Sequence, residues 1–563
     1  MGNMILPGTY IQVRPEGLIA PGQVTVGNLG VVGTAAKGTP GKVELLSSYT
    51  DAVQKFYNAD PWIDGKSNEL TLVRALQFAF NFGANNVYAV RVAGPSKKTA
   101  SIVLNSSSGQ CIELDAKSDG TWGNDIGVNI AAADDNAQIF NETHVGNEPA
   151  PLSLKRTPIV PSARNRATLH IDATNITKTL TIFYDDTARA PLAGEVKINR
   201  ATGAMAFGDA ILPADKITAT YLVDKTKAVK VTILLGQLKE IYTVVDGQNL
   251  FDDIMDPLTG SIWVTAVAKA NVKEIPLKNN PTDSVSNLKG GDDGAAGADY
   301  EAGLAALLDQ EAHIIVAAGQ DDSFGGKLDQ HCQKASTDEV KHDRIAVVGS
   351  KLEPLTPDSK VAQSIDDLQG HSLDSDRVIF VTPGMLVNKP DGTQDTLPGA
   401  YTAAAVAGLL ASLPAHVSPT NKPLPVDDLQ FYFNNAQLEV LVESRILAIE
   451  KRSGFRIVKG ITTTTGGAFA QITTRRIVDY AKFGVRSAAD PFIGLLNNER
   501  VRTALRGSIN SFLAEMVKDE MLVAYDLTVS ATRDEQIKGI ANVTMTLQPV
   551  FSIDFIKVTM FLQ

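Results

Sequence analysis

The chain has 563 residues, 44% hydrophobic and 20% charged, with a formal net charge of −11. That length allows three or four domains, and the composition is that of an ordinary globular protein with large cores. The acidic balance argues against a general nucleic-acid binder, which carries a basic face. Cys111 and Cys332 lie too far apart in sequence for a CxxC metal site or a disulfide framework, and predict two free thiols in a reducing compartment.

The first 22 residues are broken by Pro7, Gly8, Pro15, Gly17, Pro21 and Gly22, with a β-prone run at 9–13. They predict an extended arm whose strand must find its edge elsewhere. The N-terminus has neither the basic region nor the apolar run of a signal peptide. No stretch reaches the ~18 consecutive apolar residues of a membrane span, and 401–413 (YTAAAVAGLLASL) predicts a buried helix.

Residues 24–95 alternate strand and helix. The run 24–34 is β-prone, and 69–82 places Leu72, Val73, Leu76, Ala79 and Phe80 on one helical face. Gly83 follows where a C-cap is wanted, and 87–92 (VYAVRV) predicts a strand. From 97 to 278 helical periodicity fades. Short alternating runs at 167–171, 180–184, 216–222 and 229–235, with turn residues near 202–203 and 213–215, predict sandwich-like β domains, one nested in the other. Residues 279–300 are a link, Gly/Asp-rich in its second half (NLKGGDDGAAGADY).

Beyond the link, apolar runs at 313–318, 344–349 and 377–382 alternate with helical segments near 324–335 and 358–368, the spacing of buried parallel strands with crossover helices. Further on, 438–450 carries helical spacing, 472–484 is β-prone, 491–520 is helical, and 522–530, 540–550 and 551–562 are β-prone. In the last of these the apolar phase flips at Ile556, after which Ile556, Val558, Met560 and Leu562 share a face. Such a flip signals a bulge or a change of partner sheet. An apolar strand left unpaired there would aggregate.

A search for chemistry finds no compact constellation. His144, His170, His313, His331, His342, His371 and His416 are scattered and form no HExxH pair. His331 beside Cys332 is a weak metal hint. There is no phosphate loop of the GxxxxGK[ST] kind, no dinucleotide fingerprint and no GxSxG elbow, and GGDDG at 290–294 lacks the ligands of a calcium loop. Arg500, Arg502 and Arg506 mark a basic helix, Arg502 and Arg506 sharing a face at i, i+4. They are either a solvated face or a stripe that docks on an acidic partner.

Several segments together resemble one family: PGTYIQV (7–13), VVGTAAKGTPGKVELLSSYTDAVQKF (31–56), GANNVYAVRV (83–92), GTWGNDIGVNI (120–130), NNAQLEVLVESRILAIEKRSGFRIVKGITTTT (434–465), RRIVDYAKFGVR (475–486) and the helix around 497–507. The chain is similar to contractile tail sheath proteins, which include phage tail sheaths and the sheaths of R-type bacteriocins and related injection machines. Residues 141–224 match least.

The resemblance implies an α+β multidomain fold: an α/β sheath core with inserted β-sandwich-like domains and extended N- and C-terminal β arms. The expected divisions are an N-terminal arm (1–22), a discontinuous core (23–96 and 279–400), a β insertion (97–140 and 225–278), a nested decoration (141–224), a C-terminal α+β domain (401–548) and a C-terminal arm (549–563). It implies a structural subunit rather than an enzyme, without cofactor or metal. Such subunits form hexameric rings, stacked around an inner tail tube that contraction drives through the target envelope during genome ejection. The implied partners are other copies of the chain, the tube, baseplate and tail terminator proteins, with no direct nucleic acid and no membrane insertion. The implied location is the virion tail, assembled in the host cytoplasm. Tyr10, Ile11 and Val13 at one end, and Ile556, Val558, Met560 and Leu562 at the other, become inter-subunit arm strands, and Arg500, Arg502 and Arg506 a tube-facing basic helix. A headless injection machine, an α/β enzyme and a different structural polymer are the competing expectations.

Overall fold

A computed structural model describes residues 27–58, 70–279, 281, 283–352, 360–388, 392 and 394–561. Tyr10, Ile11, Val13 and Leu562 lie outside the described residues. Among those described, one compact unit comprises 27–35, 39–95 and 295–561, and another 36–38 and 96–294.

The first unit is built on an eight-stranded sheet. Its order is Val43–Leu46, Val87–Val92, Leu29–Thr34, Ile314–Ala317, Ile345–Gly349, Val378–Thr382, Leu447–Lys451 and Phe455–Ile457. The six inner strands are parallel and each edge strand is antiparallel. Buried on both faces, the inner strands are continuous apolar runs rather than alternating ones. Successive residues feed two cores. Val31, Ile314, Val316, Val347 and Val381 face helices Leu72–Asn81 and Gly399–Ser412. Val32, Ile315, Ala346, Val348 and Phe380 face helices Tyr300–Ala306, Gly325–Ala335, Val361–Gln369 and Asn435–Glu443. Helix Gly399–Ser412 is apolar around its whole circumference because nearly every residue in it is buried. Gly408 lets it touch its neighbour, since a Cβ there would lie 2.3 Å from the Ala79 carbonyl oxygen.

Several segments differ from the sequence expectation: the helix expected over 491–520 is Glu499–Lys518, and the β-prone 551–561 form no strand among the described residues. The apolar run after 438 is a helix only to Glu443; Arg445 takes φ 65°, and Leu447–Lys451 joins the sheet as a strand. The β-prone 472–484 is instead part of the helix Ile472–Ala489. Its β-branched residues favour a strand locally, but Ile477, Ala481 and Ala488 share one helical face and are buried on it. Tertiary burial outweighs the weak intrinsic preference.

The second unit contains three β-sheets. Ser101–Ser106, Gly109–Ala116 and Val264–Ala268 form one; Ile126–Ala132, Val229–Leu235, Leu238–Val244 and Ser286–Asn287 form another. Trp122, in a short turn of helix before Ile126–Ala132, is buried with the Lys37 ammonium 4.7 Å above its ring. The third sheet has seven strands, all between residues 137 and 223. Its order is Met205–Phe207, Glu195–Ile198, Ile176–Tyr184, Arg166–Ile171, Lys216–Val223 and Ala137–Val145, with Ile159–Val160 also pairing Lys216–Val223.

A polar network lies on the buried side of this third sheet. His144 bridges two carboxylates, with Nε2 2.8 Å from Glu142 and Nδ1 2.8 Å from Glu148. Glu142 also accepts from the Tyr221 hydroxyl at 2.6 Å and from the Lys155 amide at 2.8 Å. The hydrogen bond to Glu142 raises the His144 pKa against the opposing effect of burial. Burial would raise Glu142, but the hydrogen bonds from His144 and Tyr221 outweigh it and leave its pKa lowered.

A raised histidine contributes stability below its unfolded pKa of about 6.5, and loses it as pH climbs through the folded value. A lowered glutamate contributes above its unfolded pKa of about 4.3, and loses it as pH falls through the folded value. The sheet 137–223 is therefore expected to be most resistant in weakly acidic solution. Pulse proteolysis in urea, following peptides from 137–223, should show the resistance declining as pH rises through neutrality. His144→Gln should remove that decline.

Candidate assembly surface

The N-terminal ends of the parallel strands carry a row of charges, and helix Ile472–Ala489 lies across them. Arg377 precedes Val378–Thr382 and forms a bidentate pair with Asp479, at 2.9 and 3.2 Å; its guanidinium also donates to the Arg344 carbonyl at 2.9 Å. Arg475 donates to Asp376 at 2.9 Å and to Asp479 at 2.6 Å. Asp343, just before Ile345–Gly349, accepts from Lys482 and from Arg486, the latter at 2.5 Å. Burial pushes the Asp343 carboxyl up, but these two hydrogen bonds and their charges prevail, so its pKa is lowered. Arg344 sits beneath the row, donating to the carbonyls of Leu307, Leu308 and Gln310 at 2.9 to 3.0 Å. His313 shares a small cavity with His342, Asp343, Arg476, Asp479 and Phe483. Burial and the nearby Arg344 push His313 down to about 4, so it is neutral above that pH.

Helix Ile472–Ala489 pairs with Glu499–Lys518. Gly484 makes close approach possible: a Cβ there would lie 1.9 Å from the Phe512 ring, which stacks on Tyr480 at 5.8 Å. Ile477, Leu505, Ile509, Leu513 and Met516 complete the seam. On this pair rests an antiparallel ribbon of two strands, Leu522–Ser530 and Asn542–Pro549. Val543, Met545 and Leu547 pack on the helices, while Asn542, Thr544, Thr546 and Gln548 are exposed. A ribbon of two strands is marginal by itself and here depends on the helix pair. Among the described residues, neither outer edge of the ribbon is paired.

After the ribbon, residues 551–561 form no strand among the described residues. Ile556, Val558 and Met560 are 81%, 73% and 83% exposed, and Phe551, Ile553, Phe555 and Phe561 are exposed too. The root of this tail is clipped to the body. Gln471 donates to Asp554 at 3.2 Å and accepts from the Ser552 amide at 3.4 Å, and Lys459 lies 5.3 Å from the centre of the Phe555 ring.

The three arginines expected on one basic helix separate. Arg500 and Arg506 are exposed at the start of Glu499–Lys518. Arg502 is only 9% exposed and folds back, donating to the Asn497 side chain at 2.9 Å and to Glu499 at 2.7 Å. The i, i+4 spacing is correct for a shared face, but the helix turns that face inward at Arg502 and outward by Arg506. An apolar group, Ile493, Leu495 and Leu496, is exposed just before the helix, a feature that no helical or strand period marks in the sequence.

Elsewhere the chemistry is self-contained. Strand order reverses between Leu29–Thr34 and Ile314–Ala317, where open α/β sheets hold ligands at the C-terminal strand ends. Here that place is filled. The Thr71 hydroxyl lies 3.3 Å from the Thr34 hydroxyl and 2.9 Å from that of Tyr300, which donates to the Ala318 carbonyl at 3.0 Å. His331 faces the Arg344 guanidinium at 3.1 Å, an unsuitable neighbour for a cation, and burial pushes the Cys332 thiol up to about 12. Among the described residues no group of histidine, cysteine and carboxylate side chains is arranged to hold a metal, and no helix is long and apolar enough to cross a membrane.

Asp479 pairs with Arg377 from the sheet and with Arg475 of its own helix, so Asp479→Asn removes the buried charge that ties the helix to Arg377. Removing one partner of a buried pair costs about 3–5 kcal/mol. Chemical denaturation should show a loss of this size, with proteolysis opening first near 472–489. A change within error would show that the pairing does not anchor the helix.

The profile of the phage tail sheath protein central domain matches residues 293–463, and that of the phage tail sheath C-terminal domain matches 464–563. The tail sheath protein of Bacillus phage SP01 is 23% identical over 246 residues, 42% of this chain and 42% of that protein, so the match spans less than half of the relative's length. The fold is similar to that of the sheath tail protein of Desulfitobacterium hafniense, with a TM-score of 0.58, 15% identity, and coverage of 96% of this chain and 100% of the other. A sheath tail protein of Listeria innocua gives a TM-score of 0.56 at 13% identity, covering 95% of each chain. Residues 293–563, which run from just before the sheet strand Ile314–Ala317 to the tail, thus match the central and C-terminal domains of the phage tail sheath family.

Proposed function

We propose that the chain is the structural subunit of a contractile tail sheath, which polymerises as stacked hexameric rings around an inner tube and contracts to drive the tube through a target envelope. The observation that carries this reading is the tail: an apolar, exposed segment beside a ribbon whose two outer edges are unpaired among the described residues, in the stretch that matches the sheath C-terminal domain. An exposed strand-forming segment and an open edge are the two halves of β-strand addition. Supplied by neighbouring copies, they form a head-to-tail contact that does not close, which generates a helix rather than a ring alone.

In this reading Ile556, Val558, Met560 and Leu562 pair with a neighbour, and Tyr10, Ile11 and Val13 do the same from the other end. The core of 23–96 and 279–400, with 401–548, borders the tube, and the β insertion of 97–140 and 225–278, bearing the decoration 141–224, points outward. Arg500 and Arg506 meet an acidic tube, while Arg502 supports the helix start. Baseplate and terminator proteins close the two ends, in a virion tail assembled in the host cytoplasm. Contraction is rigid-body rotation and outward movement of subunits from a metastable lattice into one that buries more surface, with the arms keeping neighbours linked. It needs no nucleotide hydrolysis.

Electron microscopy of the concentrated chain, and of the chain mixed with tubes, tests the reading. Ribbed hollow cylinders of uniform width are expected; compact monomers or small closed oligomers under both conditions would overturn it. Deleting residues 556–563 should leave a folded monomer that does not polymerise, and normal cylinders from this truncation would refute the arm assignment. Arg500→Glu combined with Arg506→Glu should slow growth on tubes at low salt, with less difference at high salt where exposed charges are screened. Unchanged tube-templated growth would remove both arginines from the interface.

A further inference from the structure

The side of the seven-stranded sheet opposite the His144 network is a tiled plane. The strand register places Thr179 beside Thr168, Thr168 beside Thr218, and Thr218 beside Thr143, a rank of four threonines across four strands. The rank on one side is Thr177, His170, Lys216 and Val145; on the other, Arg166 pairs with Thr220. Thr143, Thr177 and Thr179 are exposed, and Thr168, Thr218 and Thr220 half-buried by their neighbours. Between these positions the side chains point the other way, where Leu169, Ala167, Ile217, Ala219 and Leu180 form the core.

Three properties stand out. These ranks contain no carboxylate, and Lys216 and Arg166 form no ion pair among the described residues, so their charge is available. Residues 137–223 hold nine Lys and Arg against eight Asp and Glu, in a chain with 52 against 63. The ranks named hold no aromatic residue and no Met, in which the centre of a protein–protein interface is enriched; the exposed Phe140 lies beyond them, at the bulge opposite Thr220. The plane is also stiff, because Glu142 and His144 on Ala137–Val145 are pinned from beneath by Tyr221, Lys155 and Glu148.

We infer that this plane binds an acidic polysaccharide chain. A threonine presents a hydroxyl that both donates and accepts, beside a methyl group. A rank of them alternates hydrogen-bonding and apolar points, as the edges and faces of sugar rings do. Neighbouring strands lie about 4.8 Å apart, close to the rise of one sugar residue in an extended glycan, so successive sugars meet successive strands. Carboxylates on the polymer then meet Lys216 and Arg166, as charge-assisted hydrogen bonds. The inference does not depend on the sheath reading.

Affinity electrophoresis of the full chain tests it, in gels containing polygalacturonate or hyaluronate, with dextran as the neutral control and dextran sulfate as the charge-only control. Retardation is expected with at least one acidic polysaccharide and not with dextran. Thr168→Val with Thr218→Val, which keeps shape and removes two hydroxyls, should weaken the interaction about tenfold, and Lys216→Glu with Arg166→Glu should abolish it. Thr143→Glu with Thr179→Glu, at the exposed ends of the rank, should also abolish it, and gives a second reading should the valine pair fail to fold by circular dichroism. No retardation by either acidic polysaccharide, equal retardation by dextran, binding to dextran sulfate alone, or insensitivity of the folded threonine variants would overturn the inference.

Discussion

The buried pairing of Arg377 with Asp479 is the contact on which the C-terminal part of the molecule depends. A parallel sheet covered on both faces has charged groups only at its strand ends, and here those ends bear Asp343, Arg344, Asp376 and Arg377 in close succession. Buried, such groups demand partners. Helix Ile472–Ala489 supplies them at Arg475, Asp479, Lys482 and Arg486, spaced so that each faces the sheet. Charge specifies where the helix lies, and apolar packing then builds outward from it. The second helix lies against Gly484, the ribbon lies on the helix pair, and the tail leaves from the ribbon.

This hierarchy explains what could be seen in the amino-acid sequence. Strands of the central sheet were legible because burial on both faces demands uninterrupted apolar residues: 87–92 was marked as a strand at its observed limits, and 313–318, 344–349 and 377–382 each exceed the observed strand by only a residue or two. The alternating runs at 216–222 and 229–235 were legible for the opposite reason, one buried face and one wet one. Helix Ile472–Ala489 was obscured because the face it turns to the sheet is charged: Arg475, Asp479, Lys482 and Arg486 have helical spacing but form no apolar stripe, and the partners that bury them lie 99 to 143 positions earlier. The strand Leu447–Lys451 was hidden by apolar residues continuing past the end of the preceding helix at Glu443, where only the backbone at Arg445 records the break.

The candidate surface was partly legible. The phase flip at Ile556 marked the tail as unusual, and the structure leaves 555–561 exposed and 551–561 outside any strand. The basic helix was legible as a set of residues but not as a face. Sequence spacing gives the angle between Arg502 and Arg506, not the side from which solvent approaches. The exposed Ile493, Leu495 and Leu496 were hidden because 491–520 reads as one helical stretch, whereas the helix begins at Glu499 and leaves them in the loop before it.

The clip at the tail root has a mechanical meaning. Gln471, which holds Ser552 and Asp554, immediately precedes helix Ile472–Ala489, whose own ion pairs run to the sheet. Gln471 therefore gives the tail root a second attachment beside the covalent one through the two-stranded ribbon: one amide side chain at the end of a helix whose ion pairs run to the sheet. A pull along the tail is shared between the ribbon and that helix rather than falling on the ribbon alone.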